Sequence, residues 1–111
     1  MPRKGLAAER RAVRWYRLRG YRILARNTWV AGYELDIVVR RGRRLVFCEV
    51  KEKLGDRFGD PLEMVDEEKQ SRIRWAAESW LARHPEAEGL WISFDVIAVR
   101  DGKLERVAEA F

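Results

Sequence analysis

Two neighbouring segments with the alternation of β-strands carry charged residues where a strand normally buries apolar ones. Asp36 lies in the segment Glu-Leu-Asp-Ile-Val-Val, and Glu49 and Lys51 lie in Leu-Val-Phe-Cys-Glu-Val-Lys. A carboxylate inside a β-rich segment is costly to bury unless a hydrogen bond or an opposite charge compensates it. Two carboxylates and a lysine on adjacent strands therefore predict a site that serves chemistry rather than packing.

The turn between these segments decides how closely the two acids approach. Residues 41–44 hold three arginines and one glycine, and they predict a β-hairpin. A four-residue turn places Asp36 opposite Glu49, whereas a two-residue turn places Asp36 opposite Phe47 with Glu49 diagonal to it. In either register the acids share one face of the sheet, where directly opposed Cβ atoms lie about 5 Å apart.

Two carboxylates at this separation need a partner. They repel by roughly 3 kcal/mol at an effective dielectric constant near 20, which a bound cation or protonation of one acid relieves. The one histidine, His84, falls at a predicted helix end, and the one cysteine, Cys48, faces away from Glu49. The remaining ligands are oxygens, which favour Mg²⁺ or Mn²⁺ over Zn²⁺. Lys51 shares the face of Glu49, where an ammonium group stabilises a phosphate or orients a water molecule.

Less specific interpretations exist for each of these residues. Asp36 and Glu49 could form a hydrogen-bonded structural pair, and Lys51 could form an ion pair with Glu34 or Glu49. Glu9 lies on the apolar face of the first predicted helix and not on its charged face, so a place in the same site is one interpretation of this acid. Its alternative is an ion pair with an arginine of its own helix.

Hydrophobic periodicity predicts the order α-β-β-β-α-β-β in a single domain over residues 1–111. The predicted elements are a helix over 6–19, strands over 21–27, 34–40 and 45–52, a helix over 66–83, and strands over 90–99 and 103–108. Asp66 is the predicted N-cap of the second helix, and a loop is predicted over 53–62. The order predicts an α/β domain with a mixed sheet flanked by helices. Four tryptophans are expected in its core: Trp15, Trp75, Trp80 and Trp91.

Basic residues are concentrated in the first part of the chain. Residues 1–44 hold 13 of the 23 basic residues and three of the 18 acidic ones, so this part carries +10 and the remainder −5. Such a field favours a polyanion such as nucleic acid, and a solvated arginine-rich surface is the alternative. The predicted nucleic-acid contacts are Arg10, Arg14, Arg43, Arg44 and Lys69.

The composition also predicts where the protein works. No apolar run approaches the roughly 18 residues that a membrane span requires, and the basic N-terminus lacks the apolar stretch of a signal peptide. A single cysteine cannot form an internal disulfide, so we expect a cytoplasmic protein without a membrane partner.

The acids and the lysine have the spacing of a known signature. Asp36 followed by Glu49-Val50-Lys51 resembles the PD-(D/E)xK signature of restriction enzymes and archaeal Holliday junction resolvases. The chain is more closely similar to the small bacterial YraN-like family. That similarity rests on residues 20–27 (GYRILARN), 34–36 (ELD), 45–51 (LVFCEVK), 58–59 (FG), Lys69 and 94–96 (FDV). The chain departs from the family pattern at Tyr33, where the pattern has glycine, and at Lys53 and Ser93, where it has arginine.

This resemblance implies a restriction endonuclease-like core and a Mg²⁺-dependent, resolvase-like endonuclease that hydrolyses phosphodiesters. It assigns Asp36, Glu49 and Lys51 to catalysis, with Asp36, Glu49 and Glu9 around the metal ion. DNA is favoured over RNA as the substrate, and a homodimer is expected because a symmetric junction needs two cuts. The alternative function is a catalytically silent nucleic-acid-binding or interaction module in DNA repair or recombination.

Overall fold

The structure is a computed structural model that describes residues 6–53 and 65–111. Most of the predicted loop over 53–62, the Phe58-Gly59 stretch and the basic residues Arg3 and Lys4 lie outside the described residues, as does the side chain of Lys53. The statements that follow concern the described residues.

Two α-helices and five β-strands follow one another in the predicted order. They are α1 (Leu6–Leu18), β1 (Arg22–Val30), β2 (Tyr33–Arg41), β3 (Arg44–Lys53), α2 (Glu67–Ala82), β4 (Trp91–Arg100) and β5 (Lys103–Val107), with a 3₁₀ helix at Pro85–Ala87 before β4. The mixed α/β class is therefore confirmed. β1 runs three residues further than predicted because Trp29 and Val30 continue its pairing with β2.

The five strands form one mixed sheet in the order β1-β2-β3-β4-β5. Neighbouring strands are antiparallel except β3 and β4, which are parallel and are joined by the connection that contains α2. Because side chains alternate along a strand, β3 contributes side chains to two hydrophobic cores, one on each face of the sheet. Val46 and Cys48 pack with α1, whereas Leu45 and Phe47 pack with α2.

The β2–β3 hairpin has the register that places Asp36 next to Glu49. Arg40 pairs with Leu45, and the ladder continues to its last pair, Ile37 and Cys48. A four-residue turn predicts this register, and the hairpin closes further at Arg41 and Arg44, which leaves Gly42 and Arg43 at the tip. Gly42 has a φ of 59°, a conformation that glycine adopts without steric cost. The ladder therefore ends one residue before the two acids.

The second helix begins as its sequence predicts. The Oδ1 atom of Asp66 accepts the backbone N–H of Lys69 at 2.8 Å, which confirms Asp66 as the N-cap. The helix buries Ile73, Ala76, Ala77 and Trp80 against the sheet. Lys69 lies one turn before Ile73, at the end of this apolar face, and is partly exposed.

Two of the four tryptophans expected in the core lie at the surface instead. Trp80 is buried and Trp15 partly buried, but Trp75 is 56% exposed and Trp91 is 71% exposed. Trp75 follows Ile73 by two residues, so it is rotated by about 200° from that buried side chain around the helix. Trp91 is the first residue of β4. The prediction was wrong for both because large aromatic size alone does not specify burial.

Asp95 is fully buried and ties α1 to the last two strands. Its Oδ2 atom accepts the hydroxyl of Tyr16 at 2.7 Å and the Arg106 Nε–H at 3.0 Å, and its Oδ1 atom accepts the Glu109 N–H at 3.1 Å. Burial, followed by the nearby Cys48 and Asp95, raises the pKa of Tyr16, so the hydroxyl remains a donor. These contacts give Asp95 a structural role. No helix in the described part of the chain is long and apolar enough to cross a bilayer.

Candidate active site

A cavity of about 340 Å³ opens where the β2–β3 ladder ends, between α1 and α2. Its walls hold four carboxylates, three basic side chains and the predicted catalytic residues. The lining residues are Glu9, Tyr33, Glu34, Asp36, Glu49, Val50, Lys51, Lys69, Arg72 and Ile73. Both helices and both strands of the hairpin therefore contribute to a single site.

Asp36 is fixed at this cavity by the backbone of the neighbouring strand. Its Oδ2 atom accepts the N–H of Val50 at 2.9 Å, just beyond the last ladder pair. The carboxylate thus replaces the backbone carbonyl that would normally accept the Val50 N–H in a β-ladder. Without an acceptor, this buried N–H would lower the stability of the fold. This hydrogen bond fixes the Oδ2 atom of the carboxylate at the end of the ladder.

The surroundings of Asp36 disfavour its negative charge. Burial, followed by the nearby carboxylate of Glu49, raises the pKa of Asp36 to about 7, although the Val50 N–H and Lys51 act in the opposite direction. A cation bound between the acids favours the ionised form and lowers this pKa. Asp36 is consequently a carboxylate whose charge state depends on what occupies the cavity.

Glu49 is almost fully buried and lies between two ammonium groups. Its Oε1 atom is 3.0 Å from Nζ of Lys69 and 3.5 Å from Nζ of Lys51. The ion pair between Lys51 and Glu49, one of the alternatives for that lysine, is therefore present. Burial lowers the pKa of Lys51, and the adjacent ammonium of Lys69 adds to this effect.

Five of the predicted site residues lie together at the cavity, and the other four lie on α1 or at the turn of the β2–β3 hairpin. Glu9, Asp36, Glu49, Lys51 and Lys69 all line the cavity, and Glu9 is 5% exposed, as its place on the apolar face of α1 predicts. This arrangement brings together the predicted metal-binding acids, the predicted catalytic lysine and one of the five predicted nucleic-acid contacts.

The other predicted nucleic-acid contacts lie elsewhere. Arg10 and Arg14 are exposed on α1, and Arg14 lines a separate hollow of about 220 Å³ beside Leu104 of β5. Arg43 and Arg44 lie at the opposite end of the hairpin. Arg44 is five residues from Glu49 along β3, roughly 17 Å at the usual rise of a strand.

Arg72 and Tyr33 line the cavity but were not among the predicted site residues. Arg72 follows Lys69 by three positions on α2, and this spacing places both on one side of the helix. Tyr33 is harder to find, because strict alternation places it on the face opposite to Asp36. Alternation breaks in β2, where Leu35 packs in the core against α2 and Ile37 in the core against α1.

The potential metal ligands of the cavity are carboxylate oxygens, which is the ligand type that hard divalent cations such as Mg²⁺ prefer. No group of three or more His, Cys, Asp or Glu side chains in the described parts of the chain has the geometry to hold a metal ion. Mg²⁺ is commonly bound through one or two carboxylates, with waters and substrate phosphates completing its shell. Asp36 and Glu49 fit that pattern, provided that the ion replaces Lys69 at Glu49.

The fold and the cavity define an α/β protein with a mixed five-stranded sheet. Two acids and a lysine line one cavity of this protein, at the point where the pairing between β2 and β3 ends. The chain belongs to the uncharacterised protein family UPF0102, whose model matches residues 8–99. The matched region contains every residue of the cavity. It confirms the similarity to the YraN-like family.

Several relatives share most of their length with this chain. A UPF0102 protein of Methylorubrum extorquens is 42% identical over 86% of this chain and 73% of its own length. One from Azorhizobium caulinodans is 43% identical over 97% of this chain and 82% of its own length. One from Mycolicibacterium vanbaalenii is 42% identical over 95% and 85%. The family membership therefore applies to nearly the whole chain.

Proposed function

We propose that this chain is a metal-dependent endonuclease of the PD-(D/E)xK type, with a restriction endonuclease-like core. The observation that carries the proposal is the convergence of Asp36, Glu49 and Lys51 on one cavity. The first two come from facing strands of a hairpin, and the lysine follows the second acid by two residues. The sheet with a helix on each face supports the proposed fold family.

Each residue has a role that its contacts support. Asp36 and Glu49 are the proposed ligands of Mg²⁺ or Mn²⁺, with Glu9 in the wall as a further acid. When bound, such an ion neutralises charge on the phosphate and activates a water molecule. Lys51, which already lies 3.5 Å from Glu49, donates hydrogen bonds to the scissile phosphate or orients the attacking water.

The proposed substrate is nucleic acid, with DNA favoured over RNA by the resemblance to resolvases. Lys69 and Arg72 lie beside the acids and supply positive charge for phosphates next to the scissile one. A homodimer belongs to the same proposal, because a resolvase-like enzyme cuts two strands of a symmetric substrate. Sedimentation or light scattering of the free protein measures that state directly.

Cleavage tests the proposal. We expect Mg²⁺-dependent cleavage of branched, flapped or single-stranded DNA by the wild type, and a loss of at least about a hundredfold in Asp36→Asn and Lys51→Ala. Glu105→Gln and Lys103→Ala, which change exposed residues of β5, serve as matched controls and should cleave like the wild type. Undiminished cleavage by Asp36→Asn contradicts the proposal. A wild type that cleaves none of these substrates contradicts it as well.

A second candidate function has its own supporting observation. Glu49 forms ion pairs with Lys69 and Lys51, so its charge is compensated without a metal ion. A module that binds nucleic acid without cleaving it is consistent with these ion pairs. Binding that is steep in salt, insensitive to Mg²⁺ and unaccompanied by cleavage supports this second candidate.

A further inference from the structure

A second, shallower groove of about 460 Å³ adjoins the acid cavity. Tyr33 and Arg72 line both, so the two form a continuous surface along α2. The other walls of the groove are Ala31, Glu68, Ser71 and Trp75. Its volume falls in the range of ligand-binding pockets.

The groove exposes aromatic rings beside a positive charge. Trp75 is 56% exposed and Tyr33 is 38% exposed, and both line this one groove. The Arg72 guanidinium lies 5.9 Å from the centre of the Tyr33 ring and also forms an ion pair with Glu68. Glu68 is the groove's one acid among the described residues, and its ion pair with Arg72 balances both charges. Because an exposed ion pair of this spacing contributes little stability, Arg72 can exchange Glu68 for a phosphate.

Exposed aromatic rings next to a cationic side chain are the features that bind unpaired bases. A base stacks on an aromatic face whatever its identity, and an arginine contacts the adjoining phosphate or the base plane. In a complete duplex the bases are stacked on one another and do not reach such a ring. The groove therefore suits a strand whose bases are free.

We infer that Trp75 and Tyr33 hold unpaired bases next to the phosphate that enters the acid cavity. The substrate class is then a single strand, a flap or a loop, rather than a continuous duplex. This inference rests on the proposed function for the role of the acid cavity. Its evidence is the shared wall, because a strand that crosses from Asp36 towards Trp75 passes Arg72 and Tyr33 on the way.

Binding without cleavage tests the inference. We propose measuring fluorescence anisotropy with a labelled single-stranded DNA and with a blunt duplex of the same sequence, in EDTA at low salt. We expect tighter binding of the single strand by the wild type. Trp75→Ala and Tyr33→Ala should each weaken single-strand binding by at least about fivefold and leave duplex binding unchanged. Trp75→Phe keeps an aromatic ring and should retain most of the affinity.

Trp91→Ala is the matched control. Trp91 is more exposed than Trp75, but it lies at the Arg43 end of the sheet, where its backbone N–H donates to the carbonyl oxygen of Arg43. It should bind both DNAs like the wild type. Equal single-strand affinity of Trp75→Ala and the wild type overturns the inference, as does a change in oligomeric state of Trp75→Ala, which identifies the groove as a contact between two copies.

The outcome is separable from that of the proposed function. If wild type binds single strands through Trp75 but never cleaves, the groove inference holds and the endonuclease proposal fails. If the enzyme cleaves duplexes and single strands alike, and Trp75→Ala cleaves both normally, the endonuclease proposal holds and the groove inference fails. Thermal unfolding of each variant confirms that the exposed substitutions leave the fold intact.

Discussion

Lys69 lies closer to Glu49 than Lys51 does, although Lys51 is only two residues away from Glu49 on the same strand. The Nζ–Oε1 distance is 3.0 Å from Lys69 and 3.5 Å from Lys51. Among the described residues, the cation nearest to this buried acid thus comes from α2, a different layer of the fold. A cation that binds Glu49 competes with Lys69, which connects metal binding to the position of a helix side chain.

Lys69→Met should therefore strengthen Mg²⁺ binding. Methionine keeps the length of the side chain but removes a positive charge from the immediate surroundings of Glu49. Relief of this repulsion corresponds to roughly a tenfold gain in affinity, since partly exposed charges a few ångströms apart interact by about 1–2 kcal/mol after screening. Isothermal titration calorimetry without nucleic acid measures it. Lys103→Met is the control, and unchanged or weaker binding by Lys69→Met contradicts this account.

Asp36→Asn should stabilise the protein in the absence of metal, and increasingly so as the pH rises. The folded state raises the pKa of Asp36 from 3.8 to about 7, so the stability that it contributes is complete below the lower value and is lost as the pH rises to the upper one. Asparagine has no such dependence, and its side-chain oxygen still accepts the Val50 N–H.

We therefore expect the advantage of Asp36→Asn over the wild type to grow by about 2–3 kcal/mol between about pH 5 and pH 8 in EDTA. Urea unfolding at several pH values measures this difference. Mg²⁺ at the higher pH should stabilise the wild type and leave Asp36→Asn unchanged. A difference between the two proteins that is constant with pH shows that Asp36 is already ionised in the folded state.

The sequence predicts the order of the elements and the two acids because both depend on local patterns. Alternation marks the hairpin, and the positions of Asp36 and Glu49 in it follow from the turn. The cap at Asp66 is equally local, since its side chain binds a backbone N–H three residues away. The register remained open between two alternatives because a turn of three arginines and one glycine is compatible with more than one loop length.

The contacts between layers were not predictable in the same way. Lys69 was predicted to touch phosphate, but its ion pair with Glu49 depends on how α2 crosses the sheet, which periodicity does not specify. The exposure of Trp75 follows from the same crossing. Tyr33 enters the cavity because β2 departs from alternation near Leu35, and no residue type in that segment signals the departure.

Tyr16→Phe should destabilise the protein without affecting the cavity. The substitution removes one of the donors to the buried Asp95 and leaves that acid with Arg106 and the Glu109 N–H. A loss of about 1–2 kcal/mol in the free energy of unfolding is expected for a buried hydrogen bond to a charged group. Chemical denaturation measures the loss, and Mg²⁺ affinity should remain that of the wild type. Unchanged stability contradicts the structural role of Asp95.

The salt dependence of DNA binding should distinguish Lys69 from the arginines at the tip of the hairpin. Each phosphate contact that is removed lowers the slope of log K against log salt by about one. Lys69 lines the acid cavity, whereas Arg44 lies roughly 17 Å from Glu49 along β3 and 3.8 Å from Glu109. For a strand that crosses the cavity towards Trp75, Lys69→Met therefore lowers the slope by about one, and Arg44→Met leaves it unchanged.

Fluorescence anisotropy across a range of salt concentrations measures both slopes with the same single-stranded DNA. The Trp91→Ala variant provides a control that alters an exposed side chain at the tip end of the sheet without removing charge. Equal losses for Lys69→Met and Arg44→Met contradict the proposed path, because they require the nucleic acid to run along the hairpin from the cavity to its tip. The path then follows the arginines of the first part of the chain, and the groove beside α2 lies outside it.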